Sequence, residues 1–181
     1  MLGGKLLIAQ PQCNSDYFNE GVVLCVDHTP LGAWGLLINK PMHNVSVEQI
    51  TESVQLDYHG KEHVYMSGPV EPRAIHILHT PDVMVHNTIA MNNTVATSSS
   101  IEMLEKICMG KGPSKWKLCM GITSWGGGQL DGEMAGSPPW TPQHKWLNIT
   151  CLDNLLDYNT DMLWKTCVKL AIEEATSTTL V

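Results

Sequence analysis

Asp27 and His28 stand side by side at the end of an apolar run, Val22-Val23-Leu24-Cys25-Val26. A carboxylate that orients an imidazole titrating near neutrality is a general acid/base pairing. If the run is a strand, however, neighbouring residues face opposite ways. Asp27 would then lie in solvent, and His28 would serve local structure by hydrogen-bonding a loop carbonyl. Asn39-Lys40-Pro41 offers a carboxamide and an ammonium where the chain leaves a strand. Those groups suit either an anionic ligand or a turn that Pro41 makes rigid. His76 and His79 invite a metal, but an offset of three along a strand turns the rings apart, and no carboxylate or thiol stands at ligand spacing. His43, His59, His63, His86 and His144 lie singly in polar surroundings and read as surface residues.

Gly126-Gly127-Gly128 lacks both the Gly-Lys-Ser/Thr ending of a phosphate loop and the spacing of a dinucleotide fingerprint. It reads as a tight turn that lets Trp125 and Gln129 approach neighbouring backbone. Ser98, Ser99 and Ser124 lie in neither Gly-x-Ser-x-Gly nor Ser-x-x-Lys, so capping and turn roles suffice for them. Trp125, Trp140, Trp146 and Trp164 read as core or cleft-wall residues, because a base-stacking platform needs basic charge beside it. The six cysteines, Cys13, Cys25, Cys108, Cys119, Cys151 and Cys167, form no Cys-x-x-Cys pair and no close Cys/His spacing. That scatter points to reduced thiols, not to a zinc knuckle or a disulfide scaffold.

Elements must hold these groups in place. Residues 5–9 and 21–28 are short apolar runs bounded by turn formers, as strands buried on both faces are, and Leu36-Leu37-Ile38 is a third. Ser46 and Gln49 form a capping-box pattern ahead of Val47, Ile50 and Val54, which predicts a one-sided helix over 47–56 lying on the sheet. Val64 and Met66, then Ile75 and Ile77, alternate with polar neighbours on either side of Ser67-Gly68-Pro69, predicting two strands separated by a tight turn. Ser99 with Glu102 repeats the capping signal; Ile101, Leu104, Ile107 and Cys108 supply the apolar face, and Gly110 the stop. Trp116, Leu118, Met120 and Ile122 alternate with Lys115, Lys117, Cys119 and Gly121, predicting a strand with one buried face. A closing helix follows Asn159-Thr160-Asp161, with Leu163, Trp164, Cys167, Val168, Ala171, Ile172 and Ala175 on the 3.6 period. Ser177-Thr178-Thr179 is expected to fray.

Strands outnumber helices without alternating regularly with them, so the expected class is α+β around a mixed sheet. The 181 residues, 43% hydrophobic and 16% charged, suit a single domain over 1–181 with a real core. No run approaches the roughly 18–20 apolar residues of a membrane helix. Leu6-Leu7-Ile8-Ala9 is too short for a signal peptide. A cytoplasmic location with no membrane partner is expected. Eleven basic against eighteen acidic residues give a net charge of −7, and no basic cluster or basic helix-turn-helix pattern is present. Direct nucleic-acid binding is therefore disfavoured, and any transcriptional effect would be indirect.

Four segments spanning nearly all of the chain, in order, resemble the YqgE/AlgH family. They are Leu7-Ile8-Ala9-Gln10-Pro11; Val22-Val23 through Asp27-His28 to Gly32-Ala33-Trp34-Gly35-Leu36-Leu37-Ile38-Asn39-Lys40-Pro41; Ser67-Gly68-Pro69-Val70 to Ile77-Leu78-His79; and Gly121 through Trp125-Gly126-Gly127-Gly128-Gln129-Leu130-Asp131, followed by Glu133 and Trp140. The resemblance implies a compact α+β domain whose bulged, strongly curved mixed β-sheet is packed with a few helices. Members of that family are described mainly as uncharacterised proteins or transcriptional regulators, one branch being named for an effect on alginate production. Three departures stand out. Ser67 replaces a glycine, which argues against positive φ there. Asp131 replaces the commoner Glu. Val26 stands where a thiol often precedes the His by two, and Cys25, one place earlier, would point to the other face, which weakens a redox-thiol role.

The motif residues are mostly Gly, Pro, Asn and Trp, which shape a backbone, and no recognisable nucleophile, metal set or cofactor box accompanies them. The expected function is a non-catalytic regulatory or adaptor protein that acts through contacts with an unknown protein partner, without cofactor or metal. A candidate cleft for a small ligand comprises His28, Asn39, Lys40, Gly68, Pro69, His79, Trp125, Gly128 and Gln129. The alternative is a small-ligand-binding protein or enzyme that gathers His28, Asn39, Lys40 and His79 around one pocket. Oligomeric state stays open.

Overall fold

The computed structural model describes residues 1–12, 17–140 and 146–178, so Cys13 and His144 lie outside the described residues. The elements are β1 (Lys5–Ala9), β2 (Val22–Thr29), β3 (Gly32–Leu37), β4 (Pro41–Ser46), α1 (Val47–Ser53), β5 (His63–Met66), β6 (Val70–His79), β7 (Ile89–Ala90), β8 (Ala96–Ser98), α2 (Ile101–Cys108), β9 (Trp116–Gly126), α3 (Gln129–Ala135), β10 (Trp146–Thr150) and α4 (Leu163–Thr178). The strands form one open sheet in the order β10-β1-β2-β3-β9-β6-β8-β7, which β4 and β5 join through the pairing of β5 with β9. That pairing is parallel and the others are antiparallel, so the sheet is mixed and the class α+β, as expected. Register shifts break β2 between Cys25 and Asp27 and β6 between Val70 and Ile75. These are the bulges that bend a sheet and raise its twist.

Continuous apolar strands arise here because both sheet faces are covered. Leu6 and Ile8 of β1 face a core shared with Leu24, Leu36, Leu163 and Cys167, beneath α4. Leu7 and Ala9 face a second core with Val23, Leu37, Trp125 and Trp146, beside α3. A third, with Val47, Val64, Ile77, Leu104 and Leu118, lies under α1 and α2. Each fully buried aliphatic side chain contributes about 1.5–3 kcal/mol, so no single cluster dominates.

Several expectations shift. The helix after Ser46 keeps its capping box but stops at Ser53 instead of residue 56: Val54 is exposed and Gln55 has φ 62°, a conformation no helix continues through. The cap of α2 is Ser100 and not Ser99, with the Glu102 N–H donating to its Oγ at 3.2 Å. One residue of shift turns a helix face by about 100°, and Met103 is buried where Ile101 is not. β9 is covered on both faces: Cys119 is fully buried, and Lys117 runs its stem inward to place its ammonium over the Tyr65 ring. β5 and β6 do not pair with each other. They flank β9, with Val64 and Ile77 both opposite Leu118. Among the described residues no helix is long and apolar enough to cross a membrane.

Candidate functional site

At the end of β9 the glycine turn redirects the chain into α3. Gly128 takes φ 73° at the helix start, and Gln129 Oε1 accepts the Gly126 N–H at 3.0 Å. This is the tight turn expected of the triple glycine. It aims Glu133 inward, where Oε2 accepts the indole N–H of Trp125 and of Trp146, each at 2.9 Å. Oε1 accepts the Gln129 carboxamide at 2.9 Å. A buried carboxylate is costly unless its lone pairs are met, and three N–H donors meet them here. The two indoles touch edge to face at 6.0 Å.

His28 joins the same assembly. Its Nδ1 accepts the Leu2 N–H at 3.1 Å, which assigns the neutral ring's proton to Nε2. That atom faces the Asp131 carboxylate at 3.4 Å. The partner of His28 is thus a backbone N–H, not a loop carbonyl, and the nearby acid is Asp131 of α3, while Asp27 lies exposed. With one nitrogen engaged as acceptor and the other protonated, His28 keeps no free lone pair for a general base. Its geometry ties β2 to α3.

Asn39 and Lys40 serve the turn. Asn39 Oδ1 accepts the Val22 N–H at 2.9 Å and its Nδ2 donates to the Glu20 carbonyl at 2.8 Å. Lys40 Nζ donates to the Asn19 carbonyl. These two bonds fix the Asn39 carboxamide on the turn and use its oxygen and one of its two N–H groups. Gly68 lies against β9 so closely that a Cβ would meet the Ile122 oxygen at 2.1 Å. Ser67 avoids positive φ, as expected, and is fully buried, with Oγ donating to the Leu37 carbonyl at 2.7 Å.

His79 lies elsewhere. It pairs in register with Trp116, whereas His28 pairs with Ala33 and Ala33 with Trp125. Nine residues of β9 separate the two positions, at most about 30 Å of strand. His79 Nδ1 donates to the Thr80 carbonyl at 2.7 Å, and its Nε2 accepts from Ser98 Oγ at 2.7 Å. Ser98 in turn accepts from Thr88 Oγ1 at 2.7 Å. No local pattern marks this chain of hydroxyls, because Ser98 sits in no nucleophile motif and only the register of β8 on β6 brings it to the imidazole. His76 faces the other side and packs on Trp34, ring centroids 5.4 Å apart. The candidate cleft therefore resolves into three places: His28, Trp125, Gly128 and Gln129 around α3; Asn39 and Lys40 at the 19–22 turn with Gly68 and Pro69 beside them, where the Met66 N–H donates to the Lys40 carbonyl at 2.9 Å; and His79 beside β8.

His43, His59, His63 and His86 are exposed as expected, although not all are single: the His43 and His63 rings touch at 5.4 Å, and His59 bridges Glu48 and Asp57. Cys25, Cys108, Cys119, Cys151 and Cys167 are free thiols. Burial pushes Cys25 and Cys119 up to about 11 and Cys151 and Cys167 up to about 12, so these four stay protonated at neutral pH and inert as nucleophiles.

Comparison with known proteins gives a consistent result. An AlgH-like family model matches residues 6–175. A UPF0301 protein of Marinomonas sp. is 34% identical over 135 residues, covering 72% of this chain and 71% of the relative. A UPF0301 protein of Jannaschia sp. is 31% identical over 174 residues, covering 93% and 87%. The solution structure of the AlgH protein from Pseudomonas aeruginosa superposes with TM-score 0.73 at 24% identity over 93% of this chain and 87% of that one. A crystal structure of a Corynebacterium diphtheriae protein gives 0.68 at 19% identity over 91% and 84%. At those identities the two structures speak to the fold alone.

Proposed function

The chain belongs to the AlgH-like family, and from that premise we propose that it is a cytoplasmic, non-catalytic regulatory or adaptor protein acting through contacts with another protein. One observation carries the reading: the motif's polar side chains are engaged in bonds within the fold, to other side chains or to backbone. Glu133 holds Trp125, Trp146 and Gln129, and Asn39 holds Glu20 and Val22. Such residues build a scaffold and leave recognition to its surface. The alternative, an enzyme or ligand site gathered from His28, Asn39, Lys40 and His79, is less favoured because His28, the Asn39–Lys40 pair and His79 serve three different parts of the sheet.

A surface suited to contact runs along α4, where a groove of about 440 Å3 is lined by Trp164, Val168 and Ile172 with Lys165, Lys169 and Glu173 along one side, Lys169 facing Glu173 at 3.9 Å. Ile172 is 54% exposed. An apolar strip edged by Lys165, with Lys169 already facing Glu173, fits a partner segment that carries apolar residues beside an acidic one. Affinity capture from cytoplasmic extract with the parent chain and with Ile172→Glu checks this. A protein should be retained by the parent and lost, by tenfold or more, with the variant. Equal recovery with both, or none with either, would overturn the proposal.

A further inference from the structure

Strand alternation puts His76 and Leu78 on one face of β6 and Ile77 and His79 on the other. Thr97 is opposite Leu78 and Ser98 opposite Ile77, and residues directly opposite share a face. Thr97 therefore lies on the side of His76, away from the bond between His79 and Ser98. Trp34, His76, Asn87, Ile89, Thr97 and Ser98 are among the residues lining a cavity of about 320 Å3 beside this strand pair. This is at the lower end of the roughly 300–1,000 Å3 typical of small-molecule sites.

One polar group on this wall is buried without a partner among the described residues. Thr97 is 2% exposed, and its Oγ1 has no hydrogen-bond partner among the described residues. A hydroxyl buried in that state is destabilising, and native structures satisfy nearly all such groups with protein, water or ligand. Packing does not explain it, since valine has the same shape without the polar atom. The indole N–H of half-buried Trp34 makes no hydrogen bond among the described residues and is open to a ligand or to solvent. The His76 ring, half-buried against Trp34, likewise makes no hydrogen bond among them.

The chemistry of the lining narrows the ligand. No Lys, Arg, Asp or Glu lines the cavity, so nothing there would neutralise a buried ionic ligand. An indole N–H can only donate, and the Thr97 hydroxyl is free to donate, so the ligand must bring an acceptor. Two rings meeting at 5.4 Å with an isoleucine nearby favour a flat, apolar-faced body. Burial also pushes His76 below the ordinary imidazole value, keeping its ring neutral at physiological pH.

We propose that this cavity binds a neutral heteroaromatic ring bearing a carbonyl or amide, held against Trp34 and His76 with its oxygen on the Thr97 hydroxyl. The site stands apart from the α4 groove and does not depend on the protein-contact reading. Titrating the 15N-labelled full chain with nicotinamide and with uracil tests it. At least one should give saturable shifts of the Trp34 indole signal and of the His76 and Thr97 amides. Nicotinate, the same ring as an anion, should bind about tenfold more weakly or less. Thr97→Val should lower affinity tenfold or more while raising the unliganded melting temperature, because it removes an unpaired hydroxyl and little else. Thr97→Ser should restore binding. Should Thr97→Val fail to fold, Trp34→Leu replaces it, with the same loss of affinity expected. The proposal is overturned if neither neutral ring shifts those residues saturably, or if removing the hydroxyl or the indole leaves affinity unchanged.

Discussion

Glu133 shows how a single residue can look chemical and act structurally. It is an acid inside a signature motif, beside a glycine turn and two tryptophans, yet three N–H donors hold its two oxygens in place. Glu133→Gln would put an NH2 where either the two indoles or Gln129 already donate. One donor then loses its acceptor in the interior, at a cost of about 2–4 kcal/mol. Urea unfolding measures it, and a loss below about 0.5 kcal/mol would show that the network can rearrange. The residue itself was visible in the sequence. Its partners were not, because Trp125 and Trp146 meet only when β10 pairs with β1 and α3 folds back on the sheet. Likewise Asp131, and not the adjacent Asp27, reaches His28, since strand neighbours diverge while α3 converges from a distance.

Among elements, those defined by local rules were legible: the capping box at Ser46, the runs of β1 and β2, and the period of α4. The crossing of the β5–β6 connection over β9 was not, because nothing local says which strands will be neighbours. Sequence shows a turn at Ser67-Gly68-Pro69; only the fold shows that it passes over β9 between Met120 and Thr123. There Gly121 takes φ 77° and a Cβ on it would meet the Gly68 oxygen at 2.3 Å. Gly121→Ala should therefore cost about 2–4 kcal/mol, combining left-handed backbone strain with overpacking. Gly110→Ala is the control: φ is 71° but nothing lies within 4 Å, so strain alone should cost about 1–2 kcal/mol. Similar losses at both sites in chemical denaturation would mean that the crossing is looser than its geometry implies.

For the whole molecule, acid sensitivity follows from two imidazoles. Burial holds His76 and His79 below the ordinary value, so as the pH falls through about 6.5 the unfolded chain binds protons that the folded chain refuses. Stability from these groups is full above that pH and lost below it. Exposed His59, raised beside Glu48 and Asp57, opposes the trend in part. The melting temperature should fall between pH 7.5 and pH 5.5, and His79→Gln should flatten the fall; an unaltered slope would assign the effect to other groups.

The pairing of β1 with β10 has a consequence for how the protein is made. Lys5–Ala9 leaves the ribosome long before Trp146–Thr150, and at typical elongation rates the interval is on the order of ten seconds. Throughout that time a nascent chain carries an apolar strand with one bare hydrogen-bonding edge, a template for other chains. A stalled ribosome prolongs the exposure, so slow or truncated translation of this protein should yield aggregates rather than soluble fragments.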